Sequence, residues 1–176
     1  MSADLYRYLL QRSFPGPGGT IMWVMLNPST ATNTMDDPTI RRCMGFARGW
    51  GFSEMTVGNL FARRATSPKD LLKAQDPVGP HNDEMLVQMA SEADLIVAAW
   101  GNHGSYRGRD RRVLFLLKEY DIFRLGALTA KAQPRHPLYV AGSTDPVLWQ
   151  IKWTTERLAD YYQEDLPQRR NLEGGP

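Results

Sequence analysis

A run of six apolar residues that leads into Asn-Pro-Ser constrains the fold of this chain more than any other stretch. The run spans residues 21–26 without alternating apolar and polar positions, as expected for a strand buried on both faces of a parallel sheet. Pro28 lacks a backbone donor and disfavours a helical conformation at Asn27, so the strand must end there. Ligands of open α/β sheets bind beyond the carboxyl ends of the strands. Asn27 is therefore a candidate site residue, although Asn-Pro-Ser also forms ordinary turns.

Strand patterns alternate with helix patterns along most of the chain. We predict strands at residues 21–26, 54–61, 93–100 and 121–128, and helices at 37–48, 67–72, 82–90, 109–119 and 146–160. A short amphipathic lead and a Pro/Gly-rich joint precede the first strand. This order predicts an α/β fold: a three-layer α/β/α sandwich around a central four-stranded, mostly parallel sheet. We expect one domain over residues 1–162 and a flexible tail over 163–176.

Four loops of the predicted sheet carry polar side chains that suit a binding site. Right-handed crossovers would bring the loops after Leu26, Asn59, Trp100 and Leu128 to one edge. Together they contain Asn27, Asn59, Arg63, Arg64, Asn102, His103, Arg135 and His136. We therefore expect an amide, an imidazole and several guanidinium groups around one pocket.

Composition excludes several classes of protein. The chain has 176 residues and one cysteine, which rules out an internal disulfide and a four-cysteine cluster. No stretch approaches the ~20 apolar residues that span a bilayer, and the first residues lack the layout of a secretory signal. The three histidines do not have metal-ligand spacing. We expect a cytoplasmic monomer that contacts no membrane and contains neither a metal nor a cofactor.

Positive charge is concentrated in two segments. Residues 39–73 contain seven basic and two acidic side chains, and residues 101–136 contain eight and three. Such segments can form a positive face for a phosphate backbone. Two solvated helix faces would explain the same pattern, so both interpretations stay open on composition alone.

Several motifs together resemble the uracil-DNA glycosylase superfamily, nearest to its mismatch-specific uracil/thymine branch. The first motif of that branch, Gly-Ile/Met-Asn-Pro-Gly, is similar to Leu26-Asn27-Pro28-Ser29. The helix after it resembles residues 37–52, and its second strand resembles residues 57–66. His136-Pro137 looks like the start of the superfamily's His-Pro-Ser-Pro motif, although Leu138-Tyr139 replaces Ser-Pro. The chain also resembles a family of small bacterial and phage proteins known as a domain of unknown function.

The resemblance implies roles for individual residues. Asn27 would hold the attacking water through its amide oxygen, His136 would donate to the departing base, and Asp36 could help to orient the water. Residues expected to bind the flipped nucleotide are Pro28, Ser29, Asn59, Trp100 and Asn102. Residues expected to contact DNA are Arg63, Arg64, Arg107 and Arg135 at phosphates, and Leu138 and Tyr139 as a wedge. The alternatives are a turn residue for His136, a strand-end cap for Asn59, and core packing for Leu138 and Tyr139.

The function expected from these features is that of a monofunctional DNA glycosylase. It would hydrolyse the N-glycosidic bond of a damaged or modified base flipped out of DNA, in base-excision repair or in defence against phage DNA. Two alternatives stay open. One is a non-catalytic nucleic-acid-binding module of the same fold, and the other is an N-glycoside hydrolase or deoxyribosyltransferase that acts on free nucleosides.

Overall fold

Six strands form one sheet with helices along its faces. The computed structural model of the protein describes residues 5–29, 31–32, 34–154 and 156–157. Within these residues the strands are β1 (Leu10–Ser13), β2 (Thr20–Met25), β3 (Glu54–Asn59), β4 (Leu95–Ala98), β5 (Ile122–Leu125) and β6 (Pro146–Gln150). The α-helices are α1 (Pro38–Gly49), α2 (Pro68–Lys73), α3 (Asn82–Glu92) and α4 (Arg109–Leu116), and 3₁₀ turns lie at Tyr106–Gly108 and Pro137–Tyr139. The predicted α/β class is confirmed.

The order of the strands in the sheet is β1-β3-β2-β4-β5-β6. The four central strands pair in parallel, whereas β1 and β6 are antiparallel to their neighbours at the two edges. The four strands predicted from the sequence are the parallel centre. The prediction of a four-stranded sheet is wrong in strand number, because both edges carry an additional strand that makes the sheet mixed.

The two edge strands lie where the sequence predicts other structures. Residues 10–13 belong to the predicted lead and form β1, which pairs with β3. Residues 146–150 belong to a predicted helix and form β6, so that prediction is wrong for this part. Residues 155 and 158–160 of the predicted helix lie outside the described residues. A short apolar run fits either structure by periodicity. Pairing with β5 decides for the strand, because tertiary context overrides a weak local preference. The predicted flexible tail, residues 163–176, also lies outside the described residues.

Helix α1 covers one face of the sheet. It begins at Pro38, next to the predicted start at residue 37. Asp37 is the cap, and its carboxylate accepts a hydrogen bond from the amide of Ile40 at 2.8 Å. Trp23 of β2 packs against Phe46 and Trp50, with ring centroids 6.1 and 5.8 Å away. Asp37 and Met25, the last residue of β2, line the same cavity.

Helix α3 covers the opposite face, where Leu86 and Met89 pack in the same apolar cluster as Met22 and Val24 of β2. A Cβ atom at Gly58 would lie 2.6 Å from Met89 and 2.7 Å from Leu86. Glycine at this position leaves room for the ends of these two side chains against β3. The two apolar layers fix the central strands, and with them the loops at the strand ends.

Candidate active site

A cavity of about 490 Å³ opens at the carboxyl ends of β2, β3 and β4. Its wall contains residues from the loop after each of these strands and from the segment 136–139. The predicted meeting of the loop ends is therefore confirmed for these segments. The volume lies within the range typical of small-molecule sites, about 300–1,000 Å³.

Asn27 lies in the cavity wall with its amide nitrogen fully used. Nδ2 donates to the carbonyl oxygen of Pro28 at 3.0 Å and to that of Ala65 at 2.8 Å. Because carbonyl oxygens only accept hydrogen bonds, these partners require the nitrogen on their side and leave Oδ1 on the other. Oδ1 has no hydrogen-bond partner among the described residues and can accept a hydrogen bond from a water or a ligand in the cavity.

His136 lies in the wall of the same cavity as a neutral imidazole. Burial lowers its pKa from the ordinary value of 6.5, and the negative charge of Asp37 opposes this shift. Nδ1 accepts a hydrogen bond from the amide of Leu138 at 3.3 Å. In a neutral ring the proton is then on Nε2, which can donate to a ligand.

Asn59 ends β3 in the cavity wall and is only 1% exposed. Its backbone carbonyl accepts a hydrogen bond from Asn82 at 2.9 Å, whereas its side-chain Nδ2 is buried without a partner among the described residues. A buried donor without a partner costs about 1–3 kcal/mol. Such a group is typical of a site that a ligand completes.

Arg7 also lies in the wall of this cavity, where no sequence pattern predicted it. The residue is only 8% exposed, and burial, helped by the charge of Arg64, lowers its pKa. One guanidinium nitrogen donates to the carbonyl oxygen of Ala31, and Nε has no hydrogen-bond partner within the described part of the chain. Arg7 reaches the site because the lead runs alongside residues 54–63. This pairing joins residues distant in sequence, so no local pattern around Arg7 indicates it.

Trp100 forms an apolar part of the wall, and its polar atom is already bonded. The indole Nε1 donates to Gln133 at 2.7 Å, and Gln133 in turn donates to Asp110 at 3.0 Å. A Cβ atom at Gly104 would lie 2.1 Å from the indole ring, so the loop can pass over it only with glycine at that position. Trp100 therefore has a fixed orientation and can contact a ligand through its ring.

A second cavity of about 310 Å³ adjoins the first and shares Asn102, His136 and Tyr139 with it. Arg135 lies in its wall, with a buried Nε that has no partner among the described residues. Leu138 and Tyr139 are 45% and 77% exposed. Apolar side chains this exposed are available to an external partner, and the alternative of core packing does not describe them.

Helix α1 anchors the turn that carries these two exposed side chains. Arg42 donates to the carbonyl oxygens of Pro137, at 3.4 Å, and of Val140. Its guanidinium also lies 5.3 Å from the centre of the Phe46 ring. The turn is therefore tied to the core, which holds His136 at the cavity.

Of the remaining residues predicted to bind the substrate or the water, some line the large cavity and others do not. Ser29 and Asn102 lie in the wall of the large cavity. Pro28 is buried, and its carbonyl oxygen accepts hydrogen bonds from Asn27 and Ala65. Asp36 is ion-paired with Arg12 at 2.7 Å and does not belong to the described wall of the cavity. Pro28 therefore acts on the site through the position of Asn27, and Asp36 is not brought together with Asn27 and His136.

Three of the residues predicted to contact DNA are not among the described residues that line the two cavities. Arg63 pairs with Tyr6 in an isolated β-bridge, and the backbone amide of Arg64 donates to Leu5. The guanidinium of Arg107 lies 5.2 Å from the centre of the Tyr106 ring and donates to the hydroxyl of that residue at 3.1 Å. Arg64 and Arg107 are exposed. These side chains could contact a large ligand outside the cavities.

The described residues contain no group of three or more His, Cys, Asp or Glu side chains placed to hold a metal ion. In the same part of the chain, every helix is too short or too polar to cross a bilayer.

In comparison with known proteins, the chain matches a family described as "Protein of unknown function (DUF1643)" over residues 7–138. No curated protein matches the chain, and no solved structure matches it. The match covers most of the cavity wall, from Arg7 to His136. The expected kinship with a family of unknown function is confirmed, whereas nothing in the comparisons links the chain to the uracil-DNA glycosylase superfamily. The chain belongs to the DUF1643 family.

Proposed function

We propose that this protein is a monofunctional DNA glycosylase that hydrolyses the N-glycosidic bond of a damaged or modified base. The observation that carries the proposal is the free amide oxygen of Asn27 in a cavity that also contains His136. A water acceptor and a neutral donor are the two groups that hydrolysis of such a bond needs, one on each side of the breaking bond. The resemblance of the loop motifs to uracil-DNA glycosylases supports the same reaction.

The reaction would proceed with water as the only co-substrate. Asn27 Oδ1 accepts a hydrogen bond from a water molecule and holds it below the anomeric carbon of a flipped nucleotide. The water oxygen bonds to that carbon as the carbon–nitrogen bond breaks, and the bonding electron pair leaves with the base. His136 donates from Nε2 to the departing base, and the proton lost by the water passes to the base or to the solvent. Since an amide is a weak base, the departure of the base must run ahead of attack.

The exposed side chains around the cavities would hold the DNA. Leu138 and Tyr139 fill the gap that the flipped base leaves in the duplex, and Arg64, Arg107 and Arg135 contact phosphates. Phosphate contacts of this kind make binding weaker as salt increases. A fold in which the loop ends meet at one cavity is suited to receive a nucleotide taken out of the stack.

The test is base release from oligonucleotides that contain uracil, a mismatched thymine or glucosylated 5-hydroxymethylcytosine, detected by alkaline strand scission. We expect the wild type to release at least one of these bases. Asn27→Ala should lower the rate by about a hundredfold or more, since it removes the group that positions the nucleophile. Its affinity for the same DNA should stay close to that of the wild type, provided that circular dichroism shows a folded protein.

Three other results would contradict this function. No scission of any substrate, with DNA binding intact in both forms, would favour a non-catalytic module. Equal rates for the wild type and Asn27→Ala would remove the proposed role of the amide. Base release from free nucleosides, independent of DNA and of salt, would favour a nucleoside N-glycoside hydrolase or transferase.

A further inference from the structure

Arg7 places a buried positive charge in the cavity, and no carboxylate pairs with it. Arg7 takes part in none of the four ion pairs of the described residues. Asp37 acts on Arg7 through its charge, but the Asp37 carboxylate caps helix α1. A buried cation without a paired anion is costly. An anionic ligand in the cavity would remove that cost.

Holding the loop after β2 does not account for this charge. Arg7 donates to the carbonyl oxygen of Ala31, and Arg12 donates to the carbonyl oxygen of the next residue, Thr32, at 2.6 Å. Arg12 is paired with Asp36 and does not belong to the described cavity wall. The same loop is thus held by one arginine with its counter-charge and by one without. A neutral donor would suffice for the carbonyl bond of Arg7.

We propose that Arg7 binds the departing base as an anion. Its Nε–H donates to an acceptor atom of the base, and its charge stabilises the electron pair that the base takes from the glycosidic bond. This inference makes two claims. The claim that Arg7 stabilises the base during bond cleavage, the reaction half, rests on the proposed function. The claim that Arg7 binds a free anionic base, the binding half, does not depend on it. A guanidinium can only donate, so the base must present a keto oxygen or a deprotonated ring nitrogen to Arg7.

Asn59 extends the same donor surface. Asn59 and Arg7 both line the cavity, and Asn59 Nδ2, like Arg7 Nε, is buried without a hydrogen-bond partner among the described residues. Two such donors fit a base whose buried edge carries acceptors. Hydrogen bonds from charged donors are about twice as strong as neutral ones. The preference of the site for an anion should therefore depend mainly on Arg7.

The binding test compares two free bases of similar size by calorimetry near neutral pH. 5-Nitrouracil is an anion under these conditions and thymine is neutral. We expect the wild type to bind 5-nitrouracil about tenfold or more tighter than thymine. Arg7→Gln should bind both bases equally, and the matched control Arg12→Gln should keep the preference of the wild type.

A second measurement uses the wild type, in case Arg7→Gln does not fold. The ¹⁵N–¹H resonance of Arg7 Nε, assigned by its absence from Arg7→Lys, should shift on addition of 5-nitrouracil and less on addition of thymine. An unshifted resonance, equal affinities for the two bases, failure of 5-nitrouracil to bind, or a preference that survives Arg7→Gln would each overturn the proposal.

The reaction half has its own readout in DNA that contains uracil or 5-fluorouracil, the better leaving group. Arg7→Gln should slow the release of uracil more than that of 5-fluorouracil, because stabilising a departing anion matters most for the poorer leaving group. Equal slowing would indicate a role in positioning alone and would overturn the reaction half. If no base is released from DNA while the Arg7-dependent preference for 5-nitrouracil holds, the glycosylase proposal fails and the anion site stands.

Discussion

Two buried arginines lie in neighbouring regions of the molecule and differ in what neutralises them. Arg109 of α4 donates through Nε to the carbonyl oxygen of Leu60 at 2.6 Å, and its Nη2 lies 2.5 Å from the carboxylate of Asp83. Arg7 also donates to a backbone carbonyl but has no carboxylate partner in the described chain. Burial lowers the pKa of both residues. The positive charge is balanced within the protein in one region and left for a ligand in the other.

Two asparagines repeat this contrast. Asn82 Nδ2 donates to the carbonyl oxygens of Asn59 and Leu60 at 2.9 and 3.1 Å, whereas Asn59 Nδ2 has no partner among the described residues. We call Leu60, Asn82, Asp83 and Arg109 the Leu60 network, and Arg7 and Asn59 the cavity donors. The Leu60 network should contribute to stability, and the cavity donors should contribute to binding at some cost in stability.

The largest expected effect on stability is that of Asp83→Asn. The change leaves Arg109 buried without its counter-charge, and breaking a buried ion pair costs about 3–5 kcal/mol. Since the Asp83 side chain is 35% exposed, water offsets part of this loss, and we expect the free energy of unfolding to fall by about 2–3 kcal/mol. Urea denaturation measures the change.

The matched substitution among the cavity donors is Arg7→Gln. It removes a charge that no carboxylate among the described residues pairs with, and it keeps a side-chain donor near the loop. We expect the free energy of unfolding to change by less than about 1 kcal/mol, because the relief of desolvation offsets the weaker hydrogen bond. Equal losses in Asp83→Asn and Arg7→Gln would abolish the contrast between the two arginines.

The same substitution at the two asparagines gives the next largest difference. Asn82→Leu leaves two carbonyl oxygens without this donor and should lower the free energy of unfolding by about 2 kcal/mol. Asn59→Leu removes a buried donor that has no partner, and it should leave stability unchanged or raise it by about 1 kcal/mol. Binding of 5-nitrouracil should weaken only in Asn59→Leu. If Asn59→Leu destabilises as much as Asn82→Leu, its amide has a structural partner.

The smallest expected effect concerns His136 and pH. The pKa of His136 is lowered in the folded protein, so the unfolded chain binds a proton at a higher pH than the folded chain. Stability from this group is complete above pH 6.5, the ordinary value, and is lost as the pH falls from there toward the folded-state pKa. His136→Gln should reduce this loss in urea titrations between about pH 8 and pH 5.

The exposed histidine of the α3 cap is the control for this measurement. His81 lies 3.8 Å from Glu84 on the surface. His81→Gln should therefore keep the acid-induced loss that His136→Gln reduces. The same acid sensitivity in the wild type and in His136→Gln would mean that burial of His136 does not penalise its charged form.

Local sequence patterns determined the centre of the fold and part of the candidate site. The apolar run before Asn27 specified a buried strand and its end, and Asp37 and Ser67 specified the starts of α1 and α2, where both residues cap their helix. Each of these signals is contained in a few adjacent residues, whose backbone geometry and burial determine where the strand ends or the helix begins. The meeting of loop ends then followed from the parallel order of the strands.

Only the tertiary structure decided the edges of the sheet and the charge in the cavity. The sequence pattern of residues 146–150 fits either a helix or a strand, and pairing with the edge of β5 selects the strand. Arg7 becomes a site residue because the segment before β1 lies beside residues that follow β3, where the Arg7 amide donates to the carbonyl oxygen of Ala62 at 2.9 Å. Its guanidinium then reaches the carbonyl oxygen of Ala31 in the loop after β2. Whether a buried group has a hydrogen-bond partner depends on residues distant in sequence. The residues adjacent to that group do not predict this partner. The sequence therefore determined where a ligand could bind, and the three-dimensional packing determined which donors are left for it.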